Sequence, residues 1–103
     1  MRDIESVIQD ILNALRQERV AQVPRHVPFQ YVRQTAQAVI LRRRNGNDTR
    51  VPFSVVGKAI DAIRKDNSVY IDGPGRLHDV GITHINSPTF ALVRLVPLNK
   101  LID

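Results

Sequence analysis

The chain has 103 residues, of which 43% are hydrophobic and 24% charged, and its formal net charge is +5 at pH 7. These values predict one folded domain and argue against a disordered or membrane-spanning chain. The chain contains no cysteine, which excludes disulfides, thiolate chemistry and zinc sites built on cysteine. Four of the first ten residues are charged, where a signal peptide would have an apolar core, so we do not expect secretion. A small domain without disulfides suits a reducing cytosol, so we expect a cytoplasmic protein.

Residues 3–19 form the first predicted element, an amphipathic helix. Its apolar residues recur at steps of three and four and make one stripe. Asp3 is positioned to cap the start of this helix. Residues 20–28 follow as a connector, because Pro24 and Pro28 oppose a helix there.

Three strands are predicted next, at residues 29–33, 38–44 and 49–53, from runs of apolar and β-branched residues. The second and third strands are separated by Asn-Gly-Asn-Asp at residues 45–48. Asn-Gly between two strands indicates a hairpin, because both residues tolerate a positive φ.

The length of the hairpin loop determines which residues share a face of the sheet. A loop of two residues and a loop of four predict the same faces, with Arg42 beside Val51 on one and Arg43 beside Arg50 on the other. With either loop length, we expect the arginines at the tip to lie in water or against an anion.

Residues 55–66 predict a second amphipathic helix, with Ser54 as its cap and Asn67 as a left-handed end. Gly57 is a poor helix former, and we expect it to allow close packing against a neighbouring strand. The helix has an outward face that carries Lys58, Asp61, Arg64 and Lys65.

The last third of the chain contains two further strand-like runs, at residues 68–72 and 81–85. Residues 89–96 fit either a buried strand or a short helix. The helix is favoured, because Ser87 resembles a cap and Pro88 suits a first helical turn.

Together these elements predict a single domain over residues 1–103 of the α+β class. We expect a mainly antiparallel sheet with a basic β-hairpin and two to three helices, winged-helix-like at most, in which the helices at 3–19 and 55–66 cover one face. The expected core residues are Ile4, Ile8, Ile11, Leu15, Ile40, Val51, Phe53, Val56, Ile60, Ile63, Val69, Ile71, Phe90 and Leu92.

Residues 42–65 concentrate the charge of the chain. They hold seven of the fifteen Lys and Arg residues and two of the ten Asp and Glu residues, so they account for the entire net charge. A local cluster of cations, mostly arginine, suits phosphate contact. We therefore expect a nucleic-acid-binding domain that contacts duplex DNA through phosphates, with weak base preference. The candidate binding residues are Arg42, Arg43, Arg44, Asn45, Asn47, Arg50, Lys58, Arg64 and Lys65.

Three alternatives to duplex DNA binding are open at this stage: a protein contact, RNA or single-strand binding, and an enzyme. The arginines could instead meet an acidic protein or a second copy of the chain. RNA or single-strand binding ranks lower, because only Tyr31 and Tyr70 are available to stack on bases. An enzyme is disfavoured, because no phosphate loop, dinucleotide fingerprint or familiar metal-ligand spacing is present. Asp66 and Asp72 could lie near each other, but nothing in the sequence indicates that they converge. No catalytic residue, metal or cofactor is therefore predicted.

Overall fold

The computed structural model describes all 103 residues and contains one four-stranded antiparallel sheet, five α-helices and one 3₁₀ helix. The α+β class and the antiparallel sheet are confirmed, and there are more helices than the two or three expected. In chain order the elements are α1 (Ile4–Glu18), β1 (Val20–Ala21), β2 (Phe29–Gln34), β3 (Ala38–Arg42), β4 (Asp48–Pro52), α2 (Phe53–Lys65), α3 (Ser68–Asp72), the 3₁₀ helix (Pro74–Val80), α4 (Asn86–Val93) and α5 (Leu98–Ile102).

Helix α1 begins and ends as its sequence indicates. The side chain of Asp3 accepts a 2.7 Å hydrogen bond from the backbone N–H of Ser6, so the expected cap is confirmed. The helix ends at Arg19, whose backbone is left-handed at φ 67° and whose N–H donates to the carbonyl of Leu15. The guanidinium of Arg19 lies 4.8 Å from the centre of the Tyr31 ring, which links the helix end to β2.

The strands of the sheet follow one another in the order β1-β2-β3-β4, each antiparallel to the next. A bulge interrupts the pairing of β2 with β3: Tyr31 pairs with Leu41, but Arg33 pairs with Ile40. The extra residue, Val32, reverses the side-chain alternation. Arg33 therefore lies on the opposite face of the sheet from Tyr31.

The β3–β4 hairpin has a tip of three residues, 44–46, because the N–H of Arg43 bonds to the carbonyl of Asn47. Gly46 adopts φ 87°, as the Asn-Gly signal predicts. Since the loop has an odd number of residues, the expected assignment of faces was wrong. Arg42 pairs with Asp48 and shares its face with Arg50, whereas Val39 pairs with Val51 on the other face.

Helix α2 starts directly after β4, and the expected cap at Ser54 was wrong. Pro52 is the N-cap residue and provides no side-chain hydrogen bond, while the N–H of Phe53 donates to the carbonyl of Gln37. A Cβ at Gly57 would lie 3.1 Å from Cγ2 of Ile4, so the glycine allows close packing against α1 rather than against a strand.

The end of α2 also differs from the expectation. The helix ends at Asp66, which is extended, and not at a left-handed Asn67. The side chain of Asp66 accepts hydrogen bonds from the N–H and the hydroxyl of Ser68 and so supports the first turn of α3.

The strands expected at 68–72 and 81–85 were also wrong. Residues 68–72 form α3, which buries Val69 and leaves Ile71 68% exposed. Residues 81–85 contain turns, beginning at Gly81, whose φ is 84°. Consequently Ile71 does not belong to the core.

The core is one cluster of 25 buried residues that joins the helices to one face of the sheet. Helix α4 runs through its centre, since residues 89–93 are all buried, and the favoured helix assignment for this segment is confirmed. Its N-cap residue is Ile85 rather than Ser87. Of the expected core residues, Ile4 and Phe53 are only half-buried, and the others apart from Ile71 are buried. None of the helices combines the length and apolar character needed to cross a membrane.

Candidate nucleic-acid interface

The face of the sheet that points away from the helices carries most of the exposed polar side chains of the strands. Val39, Leu41 and Val51 lie on the helix-covered face and belong to the core cluster. The register places the other side chains on the uncovered side, which we name the open face. The exposed residues of the open face are Gln30, Arg33, Arg42, Asp48 and Arg50.

Two arginines of the open face flank Ile40 in one row across three strands. Arg33 and Arg50 are its partners on β2 and β4, and neither forms an ion pair. Neighbouring strands lie about 4.8 Å apart, so the backbones of these arginines are roughly 10 Å apart. Both guanidiniums are therefore available to an anion that lies across the sheet.

Arg42 occupies the next row of the open face, towards the tip. Its Nε donates a 2.9 Å hydrogen bond to the carboxylate of Asp48, its cross-strand partner. This bond raises the pKa of Arg42 above its ordinary value. Both side chains are about half exposed, at 51% and 43%, so water screens the pair and a phosphate can compete with Asp48.

The hairpin tip projects beyond the sheet and forms one wall of a cleft of about 610 Å³. The residues at or next to the tip that line this cleft, which we name the tip cleft, are Arg43, Arg44 and Asn45. The side chain of Asn45 accepts a 3.0 Å hydrogen bond from the N–H of Asn47, which orders the turn. The other lining residues are Val23, His26, Val27, Pro28, Phe29, Pro74 and Ser87.

The remaining candidates, on α2, do not join the tip in one surface. Arg64 is half-buried and donates 2.7 Å hydrogen bonds to the carbonyls of Leu101 and Arg2. The expectation that Arg64 faces outward was therefore wrong. Lys65 is exposed and pairs with Asp61 at 2.9 Å. Lys58 is exposed beside Gly81. Helix α2 belongs to the layer that covers the other side of the sheet.

The acidic residues considered for catalysis do converge, but on an arginine. Arg76 donates to Asp66 at 2.9 Å and to Asp72 at 2.6 Å, and its Nε lies 3.5 Å from Asp79. Hydrogen bonds from Ser68 are the largest cause of the lowered pKa of Asp66, and the bond from Arg76 adds to them. No group of three His, Asp or Glu side chains in the chain is arranged to hold a metal ion.

Sequence reasoning missed Arg33 as a candidate. Plain alternation along residues 29–33 assigns Arg33 to the same face as Phe29 and Tyr31, and only the bulge moves it to the open face. His26, which lies in the connector at residues 20–28, was not a candidate either, and the fold brings it to the tip cleft.

The location of the exposed arginines therefore provides the functional argument for this protein. Comparisons with protein-family models, with curated proteins and with solved structures give no match for this chain.

Proposed function

We propose that this protein binds duplex DNA through its phosphates, using the open face of the sheet and the hairpin tip. The observation that carries the proposal is the placement of Arg33, Arg42 and Arg50 together on the face that no helix covers. Asp48 is the only acidic residue on this face. A cytoplasmic location, expected from the absence of cysteine, is compatible with this function.

Phosphate contact is better supported than base recognition. Guanidinium groups match the geometry of phosphate oxygens and form paired hydrogen bonds with them. On the strands of the open face, Gln30 is the only exposed amide that could read a base edge. We therefore expect affinity that varies little with base sequence and falls steeply with salt.

A duplex is favoured over a single strand because the tyrosines are not free to stack on bases. Tyr70 is buried, and its hydroxyl donates a 2.8 Å hydrogen bond to the carbonyl of Val96. Tyr31 lies on the helix-covered face beneath the guanidinium of Arg19. Proteins that bind single strands commonly present exposed aromatic platforms, and the open face has none.

The tip extends the proposed contact surface. Arg44, Asn45 and Asn47 are exposed and reach beyond the last paired residues of the hairpin, towards a neighbouring phosphate or groove. We leave Lys58 and Lys65 out of the proposed surface, because a straight duplex on the open face does not reach the helix layer.

The proposal is tested by removing two open-face arginines. The Arg33→Ala, Arg50→Ala double variant should bind a labelled random-sequence duplex more weakly and reduce the salt slope by about two, roughly one for each lost phosphate contact. The matched control is Arg16→Ala, Lys100→Ala, which removes two exposed cations from α1 and α5.

The control variant should keep the wild-type affinity and salt slope, as measured by fluorescence anisotropy. Equal behaviour of the two double variants would reject the open face as the DNA contact. The arginines would then be better explained by contact with an acidic protein or with a second copy of this chain, and light scattering would distinguish those two cases.

A further inference from the structure

Hydrogen bonds hold the walls of the tip cleft in place. The N–H of His26 donates a 3.0 Å bond to the carbonyl of Val23, and the side chain of Gln22 donates to the carbonyl of His26. Across the cleft, the side chain of Asn86 donates a 3.2 Å bond to the carbonyl of Pro74. With the ordered hairpin tip, all three walls exist before any ligand binds.

The lining of the tip cleft is cationic and contains no acid. Two arginines line it, together with a histidine, an asparagine and a serine, and none of its ten lining residues is Asp or Glu. Arg43 is half-buried, and its guanidinium lies 5.7 Å from the centre of the Phe29 ring. Arg42 and Arg76 have carboxylate partners, but Arg43 and Arg44 have none. A partly desolvated cation without a counter-charge favours an anionic ligand.

The size and the apolar wall of the tip cleft indicate more than a bare anion. A volume of about 610 Å³ lies within the usual range of small-molecule sites, roughly 300–1,000 Å³. Val27 and Pro28 form an apolar wall beside the arginines, and Val27 is 49% exposed. An apolar wall next to two guanidiniums suits a ligand with a flat or apolar body and a phosphate group.

We propose that the tip cleft binds a nucleoside 5′-phosphate, with its phosphate at Arg43 and Arg44 and its base against Val27 and Pro28. The ligand is either a free nucleotide or the phosphorylated end of a nucleic-acid strand, because both present the same chemistry. The proposal does not depend on duplex binding by the open face. Arg44 belongs to both proposed surfaces, but Arg43 lines only the cleft, and Arg33, Arg42 and Arg50 lie on the open face.

The test uses isothermal titration of the full chain with adenosine 5′-monophosphate, with adenosine and with inorganic phosphate. The monophosphate should bind in a saturable manner, and adenosine and inorganic phosphate should each bind at least about tenfold more weakly, since each lacks half of the contacts. No saturable binding of the monophosphate, or equally tight binding of adenosine, would overturn the proposal.

Two variants assign the binding to the tip cleft. Arg43→Met keeps an aliphatic side chain over Phe29 but loses the guanidinium, and Val27→Glu places a negative charge at a half-exposed position. Each should weaken binding of the monophosphate by about tenfold or more while circular dichroism and thermal melting stay like those of wild type. The control, Lys100→Ala, should bind like wild type. Binding that survives both cleft variants would contradict the assignment.

A last arm separates the two sources of the phosphate. A short single strand with a 5′-phosphate is compared with the same strand ending in a 5′-hydroxyl. The phosphorylated strand could bind more tightly than the mononucleotide while the hydroxyl strand does not. That result would support the proposal and identify a strand end as the ligand. Equal binding of strand and mononucleotide would support it with the free nucleotide as ligand. Failure of all phosphorylated probes, with duplex binding intact, would reject the cleft site alone.

Discussion

Thr89 carries a hydroxyl group that has no hydrogen-bond partner although the residue is fully buried in α4. A buried polar group without a partner costs about 1–3 kcal/mol. Thr89→Val replaces the hydroxyl by a methyl group of similar shape, so we expect it to raise the free energy of unfolding by roughly 1 kcal/mol.

Urea denaturation measures the effect of Thr89→Val directly, and Thr89→Ser serves as its control. The serine variant keeps the hydroxyl and loses a buried methyl group, so it should be less stable than wild type. A valine variant less stable than wild type would show that the hydroxyl makes a favourable contact after all.

Asp66 should make the stability of the protein depend on pH. Its pKa is lowered from the usual 3.8, first by hydrogen bonds from Ser68 and then by Arg76. A carboxylate with a lower pKa in the folded state stabilises the fold above the pKa of the unfolded state, and this contribution is lost as the pH falls through the folded value. Asp66→Asn should therefore lower the melting temperature at neutral pH.

The measurement for Asp66 is thermal melting of wild type and Asp66→Asn across a range of pH. The difference in melting temperature should shrink as the pH falls below 3.8, because the wild-type carboxyl group then becomes neutral as well. A difference that stays constant from neutral to strongly acidic pH would show that the charge of Asp66 is not what stabilises the fold.

Among the elements, the β3–β4 hairpin shows what sequence reasoning can and cannot provide. Asn45-Gly46 correctly located the turn, because positive φ at Gly46 is a local requirement. The number of residues in the loop depends on how Arg43 and Asn47 bond across it, which the local pattern does not determine. A change of one residue in that number moves every side chain of one strand to the opposite face relative to the other strand.

Helix α3 shows a second limit, which concerns short apolar segments. The alternation of Val69 and Ile71 resembles a half-buried strand, and over five residues it cannot be distinguished from one helical turn. In the structure, the side chain of Asp66 accepts a hydrogen bond from the N–H of Ser68, which supports the first turn of the helix. Helix α1 is the contrasting case. Its amphipathic pattern runs over four turns, so the helix was predicted with bounds within one residue of those observed.

Helix α2 contains an arginine whose role we expect to be structural. Arg64 donates to the carbonyls of Leu101 in α5 and of Arg2 before α1, so it connects three segments. Arg64→Ala should lower the free energy of unfolding by roughly 2 kcal/mol, since hydrogen bonds from a charged donor are lost and two carbonyls lose their partner. Denaturant unfolding measures this loss.

The same variant also separates stability from binding. Below its melting temperature, Arg64→Ala should bind duplex DNA as tightly as wild type, because Arg64 does not lie on the open face. Weaker binding by the folded variant, with an unchanged free energy of unfolding, would place Arg64 in the DNA contact and reverse this assignment.

For the whole molecule, the sequence identified where the charge lies along the chain but not where it lies in space. Residues 42–65 do contain the tip and two open-face arginines, Arg42 and Arg50. Folding then adds Arg33, which comes from outside this segment, and turns Arg64 towards the chain ends. Both changes depend on tertiary contacts, a bulge in one case and helix packing in the other, that no local pattern encodes.

The most direct test of DNA binding by the open face and the tip is a salt titration. The anisotropy of a labelled random-sequence duplex is measured with the wild-type protein over a range of salt concentrations. Four phosphate contacts, from Arg33, Arg42, Arg44 and Arg50, predict a plot of log affinity against log salt with a slope of about −3 to −4. No binding at low salt, or binding that is insensitive to salt, would contradict the proposed function.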